Sequence, residues 1–271
     1  MSNGYTTATG LTLPRLGQGT WEMGLSAAAR RDEVRALQLG LDLGMTLIDT
    51  AEMYADGGAE AVVGEAIRGR RAMVCLVSKV LPQNASYQGT LAACERSLRR
   101  LATDYLDLYL LHWEGPHPLA ETLRAFADLQ AAGKIRGFGL SNFDHDQMQH
   151  PGLAANQVLY NLTRRGIERR LLPECARRGI AVMAYSPLEQ GRSRTSGALG
   201  RLAARHGVSA AQIALAWTLR HPHVVAIPKA ATAAHVRENA AVAGIRLDAA
   251  DLRELDAEYP APAHDVPLET L

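Results

Sequence analysis

One feature limits what this chain can fold into more than any other: short apolar runs and amphipathic stretches take turns along nearly its whole length. The apolar runs, read as buried strands from their length and from the turn residues around them, fall at 16–19, 46–49, 73–77, 106–111, 135–139, 155–158, 180–184 and 224–227. Stretches with helical periodicity fall at 30–43, 59–68, 89–101, 119–132, 170–178 and 210–220. Several of these end in a glycine suited to a left-handed cap, with a strand directly after it: Leu43-Gly44-Met45, Ala132-Gly133-Lys134 and Arg178-Gly179-Ile180. Eight strands alternating with helices predict an α/β fold closed into a (β/α)8 TIM barrel, because an open sheet of that width would leave long apolar edges. Ahead of the first strand, residues 5–13 alternate around Thr9-Gly10, which predicts an N-terminal β-hairpin plugging the barrel floor.

The whole chain, 1–271, reads as a single domain, a normal length for such a barrel. Residues 193–197, just after the seventh strand, are the one stretch expected to be a mobile loop. A net charge of +1 gives no electrostatic reason to expect nucleic acid or an anionic membrane as partner. No apolar run approaches the ~20 residues of a membrane span, and the first ten residues lack the basic and apolar regions of a secretory signal. Cys75, Cys94 and Cys175 are scattered and odd in number, which argues against disulfides and structural zinc. The expectation is a cytoplasmic, metal-free monomer acting on a small molecule.

In a parallel α/β barrel the loops at the carboxyl ends of the strands are free to vary and build the active site. Here those exits carry Thr20-Trp21, Asp49 with Tyr54 five residues on, Lys79, His112-Trp113, Ser141-Asn142, Gln157, Tyr185-Ser186-Pro187-Leu188 and Pro228-Lys229. The pattern predicts an enzyme.

These segments resemble the aldo-keto reductase superfamily over essentially the whole chain. The resemblance runs from Gly17-Gln-Gly-Thr-Trp21 through Leu47-Ile-Asp-Thr-Ala-Glu-Met-Tyr54, Val77-Ser-Lys79 and Leu108-Tyr-Leu-Leu-His-Trp113. It continues through Gly139-Leu-Ser-Asn142, Asn156-Gln157 and Ala184-Tyr-Ser-Pro-Leu188 to Ile227-Pro-Lys-Ala and His235-Val-Arg-Glu-Asn239. It implies NADPH-dependent reduction of a small-molecule carbonyl, with the cofactor bound without a Rossmann motif. The nearest likeness is to bacterial reductases of methylglyoxal and other small or aromatic aldehydes. Family members that keep the catalytic residues yet serve in cofactor sensing or regulation leave a second class of function open.

Reducing a carbonyl needs a hydride donor and an acid for the oxygen. A phenol of pKa ~10 is a reluctant donor at neutral pH, so Tyr54 as general acid needs a neighbouring charge to lower its pKa. Lys79 would supply that charge, and Asp49 would hold Lys79 charged and in place. His112 would orient the carbonyl oxygen or join the proton relay. Lys79 could instead form a Schiff base as in an aldolase, but that reading leaves Tyr54, Tyr185 and the amide-bearing exits unexplained.

The resemblance places Ser141, Asn142 and Gln157 on the nicotinamide carboxamide, with Tyr185 stacked on the ring. Thr20, Trp21, Ser186 and Leu188 are also assigned to the cofactor, and Lys229, His235, Glu238 and Asn239 to its adenosine end. Trp21 and Trp113 are expected as walls of the substrate pocket. The chain has Ala230 and His235 where the commonest family pattern has Ser and Arg, so NADPH is favoured through Lys229 while use of NADH is left open. The short connection 150–153 and the short tail after Asp256 predict an open mouth and broad tolerance.

Overall fold

In a computed structural model that describes residues 4–191 and 196–271, the chain opens with a hairpin, β1 (Gly4–Thr6) and β2 (Thr12–Pro14), paired antiparallel. Eight parallel strands follow: β3 (Gly17–Gly19), β4 (Leu47–Asp49), β5 (Cys75–Val80), β6 (Leu106–Leu111), β7 (Ile135–Ser141), β8 (Leu153–Leu159), β9 (Ala181–Tyr185) and β10 (Val224–Ala226). Each is bonded to its sequence neighbour, in the order β10-β9-β8-β7-β6-β5-β4-β3.

The two outer strands then meet and close the barrel. The Ala226 amide donates to the Arg15 carbonyl at 2.8 Å, and the Gly19 amide to the Pro228 carbonyl at 3.1 Å. At Gly19 a Cβ would lie 2.8 Å from the Ile227 carbonyl oxygen, so the seam has room only for glycine.

Helices α1 (Arg30–Asp42), α2 (Gly58–Ala66), α3 (Tyr87–Leu101), α4 (Leu119–Ala131), α5 (Leu171–Arg178), α6 (Gly197–His206), α7 (Ala210–Thr218), α8 (Ala233–Ala241) and α9 (Ala249–Glu258) surround the strands. Gly44, Gly133 and Gly179 take the left-handed conformation expected of them, with φ of 88°, 72° and 65°. Three helices were not anticipated from periodicity: α6, α8 and α9. The expected loop at 193–197 lies outside the described residues as far as Thr195, and Gly197 already opens α6.

Two apolar layers result from the period-2 alternation of the strands. Outward side chains such as Ile48, Leu76, Tyr109 and Val182 pack under the helices. Inward ones, Leu47, Val77, Leu108, Leu110, Ala155, Met183 and Ile227, fill the lumen together with Leu13 of the hairpin, which is fully buried. The hairpin therefore plugs the floor: Leu11 packs on this cluster, and the Ala8 amide donates to the Gly179 carbonyl at 2.8 Å. No helix of the described residues is long and apolar enough to cross a membrane.

Candidate active site

The alternation that fills the lumen also builds the site. Two residues beyond each inward apolar residue, on the same face of the sheet, a polar one appears: Asp49 after Leu47, Lys79 after Val77, His112 after Leu110, Gln157 after Ala155, Tyr185 after Met183 and Lys229 after Ile227. The apolar lumen is thus capped by a polar layer at the carboxyl ends of the strands. This corrects one expectation. Lys79 does not follow its strand but lies within β5, paired with Leu110, whereas Gln157 lies within its strand as read. The β5 run extends past its last apolar inward residue because Asp49 on the next strand neutralises the lysine that continues it.

Lys79 is fully buried, and its ammonium has three acceptors: Asp49 Oδ2 at 2.8 Å, the Thr50 carbonyl at 2.9 Å and the Tyr54 hydroxyl oxygen at 3.0 Å. All three donor positions of the lysine are used. Burial works against its charge, but Asp49 and then Tyr54 outweigh it and hold the Lys79 pKa above its ordinary value. The other Asp49 oxygen accepts from Gln157 Nε2 at 2.7 Å. Thr20 closes the layer, donating its hydroxyl to the Asp49 carbonyl at 2.9 Å.

Tyr54 differs from expectation in one respect. Burial pushes its phenol above the ordinary tyrosine value; Lys79 pulls it down, Asp49 pushes it up again, and the net shift is upward. The ammonium acts in the expected direction, but loss of solvent around the ring outweighs it. Tyr54 consequently keeps its proton at neutral pH.

Two rings pack on Tyr54. Trp21 meets it edge-on, with centroids 5.0 Å apart, and His112 lies 5.8 Å away; Trp113 packs on His112 at 4.7 Å. Trp21 is 47% exposed, so this aromatic row opens to solvent at one end. His112 is buried with no hydrogen-bond partner at Nδ1. Burial, and secondarily the Lys79 charge, push its pKa down to about 2, so the ring is neutral at physiological pH.

Immediately after Tyr54 the backbone is strained. Ala55 and Asp56 both have φ of 52°, and Gly57 follows at 85°, three left-handed residues in succession. For the two non-glycine residues that conformation costs about 1–2 kcal/mol each. At Gly57 a side chain would also run into the Arg100 guanidinium, which is held by the fully buried Glu60; Glu60 in turn accepts from Ser78 at 2.6 Å. The segment carrying Tyr54 is therefore pinned from behind. Sequence reading missed these buried carboxylates, Glu60 and, nearer Tyr54, Glu52; an isolated glutamate in an otherwise apolar stretch was the available signal.

The remaining site residues form a rim. Asn142, left-handed at φ 61°, donates to the His112 carbonyl at 3.1 Å and to Ser141 Oγ at 3.3 Å, and accepts from the Tyr185 hydroxyl at 2.9 Å. Ser186 is left-handed too, at φ 46°, and its carbonyl accepts from Asn161 at 2.9 Å. Leu188 packs beneath the rim against the core under α7 rather than lining the lumen. Lys229 is exposed just before α8, whose first turn is capped by Thr232 accepting from the His235 amide at 3.3 Å. His235 is exposed and Asn239 buried on that helix, with Glu238 between them in exposure.

The tail modifies the expectation of an open mouth. Thirteen residues follow α9, and Glu269 pairs with Arg164 at 2.7 Å, which also pairs with Glu189 beyond β9. Burial raises the Tyr185 pKa to about 12, and the Leu271 backbone beside its hydroxyl works against that rise. The tail thus returns to the barrel mouth and covers one side of it.

These residues fit a nicotinamide dinucleotide on structural grounds. A half-buried aromatic ring, Tyr185, stands at a strand end beside amide groups, and the rim runs from it to an exposed lysine and a helix N-terminus, a suitable place for phosphate.

Comparison with known proteins agrees. The family model described as the aldo/keto reductase family matches residues 15–259. The chain is 56% identical over 264 residues, 93% of each chain, to the methylglyoxal reductase YeaE of Escherichia coli K12. It is 32% identical to the NADH-specific methylglyoxal reductase of the same organism, over 90% of this chain and 94% of that one. Among solved structures, an aldo/keto reductase from Klebsiella pneumoniae in complex with NADP and acetate superposes with a TM-score of 0.96 at 49% identity, covering 100% of both chains. With the barrel, its polar cap and these matches in agreement, the chain belongs to the aldo/keto reductase family.

Proposed function

We propose that the protein reduces aldehydes to alcohols with NADPH, acting on small or aromatic aldehydes such as methylglyoxal, with Tyr54 as the proton donor. The observation that carries this reading is the Lys79 ammonium, whose three bonds tie Tyr54 to a buried carboxylate with no solvent between them. A bound reduced nicotinamide would supply the hydride. Tyr185 would wall its ring; Ser141, Asn142 and the remaining Gln157 oxygen would face its carboxamide; Thr20, Trp21 and Ser186 would frame it, with Leu188 supporting the rim from below. Lys229, with His235, Glu238 and Asn239 behind it, would hold the adenosine end.

A carbonyl oxygen seated between Tyr54 and His112 would meet two neutral donors. Tyr54 passes its proton from Oη to that oxygen as the carbon is reduced, and the phenolate left behind sits 3.0 Å from an ammonium. The raised pKa keeps the proton in place until then, and the Lys79 charge favours its departure in the transition state. His112, neutral, orients the oxygen, and Trp21 and Trp113 flank the substrate. The 56% sequence identity to the Escherichia coli methylglyoxal reductase supports the substrate class.

The test is steady-state oxidation of NADPH with methylglyoxal and with aromatic aldehydes, comparing the wild type with Tyr54→Phe. The variant should lose roughly 10²- to 10⁴-fold in kcat. Unchanged turnover would remove Tyr54 from its role, and a wild type inactive on every aldehyde tried would remove the reading itself.

A further inference from the structure

Glu52 stands three residues after Asp49 and two before Tyr54, with its carboxylate 6% exposed. A buried carboxylate must be matched by donors. Here two of the donors come from the neighbouring strand exit and the third from α3. The Leu81 amide and Asn84 Nδ2 donate to Oε1 at 2.8 Å and 2.9 Å, and Arg96 Nη2 approaches Oε2 at 3.3 Å. Leu81 lies two residues beyond Lys79, and the Glu52 amide itself donates to the Lys79 carbonyl at 3.4 Å. The two sides of this carboxylate clamp are thus the segments that deliver Tyr54 and Lys79 to each other.

The clamp has a strain to resist. Ala55 and Asp56, held left-handed behind Tyr54, would relax if the segment were released. The chemistry proposed above makes no direct use of Glu52. We infer that Glu52 is a positioning residue: it fixes the Tyr54–Lys79 contact by fastening the 50–57 segment to the 81–84 turn. The inference rests on the reductase reading of the site.

The experiment measures kcat and KM for methylglyoxal with NADPH, together with thermal melting, in wild type, Glu52→Ala, Glu52→Gln and Tyr54→Phe. Glu52→Ala should lower kcat roughly 10- to 100-fold while KM stays near its parental value, since displacement rather than lost binding is the defect. Glu52→Gln, whose amide oxygen still accepts from Leu81 and Asn84, should restore most of the loss. The alkaline limb of the kcat profile should move upward in Glu52→Ala, because Tyr54 loses the contact that pulls its pKa down. Parental kcat in Glu52→Ala with only a lowered melting temperature overturns the inference.

If Glu52→Ala fails to fold, Asn84→Ala and Arg96→Met remove donors from the far side of the clamp. Each should lower kcat by roughly 3- to 10-fold at constant KM, and parental kcat in both overturns the inference. Tyr54→Phe separates the two readings. Full turnover in that variant removes Tyr54 from the chemistry and the Glu52 inference with it; a loss there beside parental Glu52→Ala turnover removes the positioning role alone.

Discussion

Gln157 donates from Nε2 to one oxygen of Asp49 at 2.7 Å while the other oxygen of the same carboxylate holds Lys79 at 2.8 Å. Asp49 is therefore oriented from β8, almost directly across the barrel mouth, and serves as the counter-charge that allows a lysine to be fully buried. Asp49→Ala strands that ammonium and should destabilise the fold by about 3–5 kcal/mol. Asp49→Asn, which keeps the shape and one acceptor, should cost less. Urea denaturation at neutral pH measures both, and a loss under about 1 kcal/mol in Asp49→Ala would show that Lys79 is neutral in the folded protein.

His112 makes the stability depend on pH. Its folded pKa lies near 2, below the ~6.5 of an unfolded histidine, so between those values the unfolded state binds the extra proton. Stability from this group is complete above pH ~6.5 and is lost as pH falls through that window, by on the order of 2 kcal/mol at pH 5. His112→Asn should flatten this part of the profile. Denaturation midpoints at pH 5 and 7.5 in the two proteins decide it: an equal pH dependence would mean that His112 titrates normally in the fold.

The barrel was legible because its repeat is written in local terms: an apolar run, then a helical period, then a glycine cap, each set by neighbouring residues. What escaped was set at longer range. Lys79 lies inside its strand because Asp49, thirty residues away, matches its charge. The start of α9 is marked by Asp248 and Asp251, which cap each other's amides, a signal weaker than periodicity. The α6 helix opens at Gly197, the last residue of the stretch expected to be a mobile loop. In the site, the lumen-facing residues were readable from strand exits, whereas the Glu52 and Glu60 anchors act through partners on α3 and the 81–84 turn that no local pattern connects to them.

The left-handed run behind Tyr54 predicts a stabilising substitution. Ala55→Gly removes the steric cost of φ 52° and should raise stability by up to about 1 kcal/mol, less what the glycine gains in unfolded-state freedom. Gly57→Ala, at φ 85° and against the Arg100 guanidinium, should destabilise by more than that and lower kcat with it. Differential scanning calorimetry of the pair checks the sign; stabilisation by Gly57→Ala would show that the segment relaxes without consequence.

Cofactor choice turns on the two ends of the rim beyond β10. Lys229 is exposed and, on the proposed reading, would meet a 2′-phosphate, whereas Ala230 has no polar group and His235, on the first turn of α8, would be a weaker phosphate ligand than arginine. Lys229→Ala should weaken NADPH by roughly 5- to 10-fold and leave NADH nearly unchanged. His235→Arg should act in the opposite sense, tightening NADPH alone, because a fixed charge on a capped helix terminus adds a bidentate phosphate contact. Titration of protein fluorescence with each cofactor reads both affinities without turnover. Equal weakening of NADPH and NADH by Lys229→Ala would place the lysine on a phosphate the two cofactors share, and the discrimination would then have to come from elsewhere on α8.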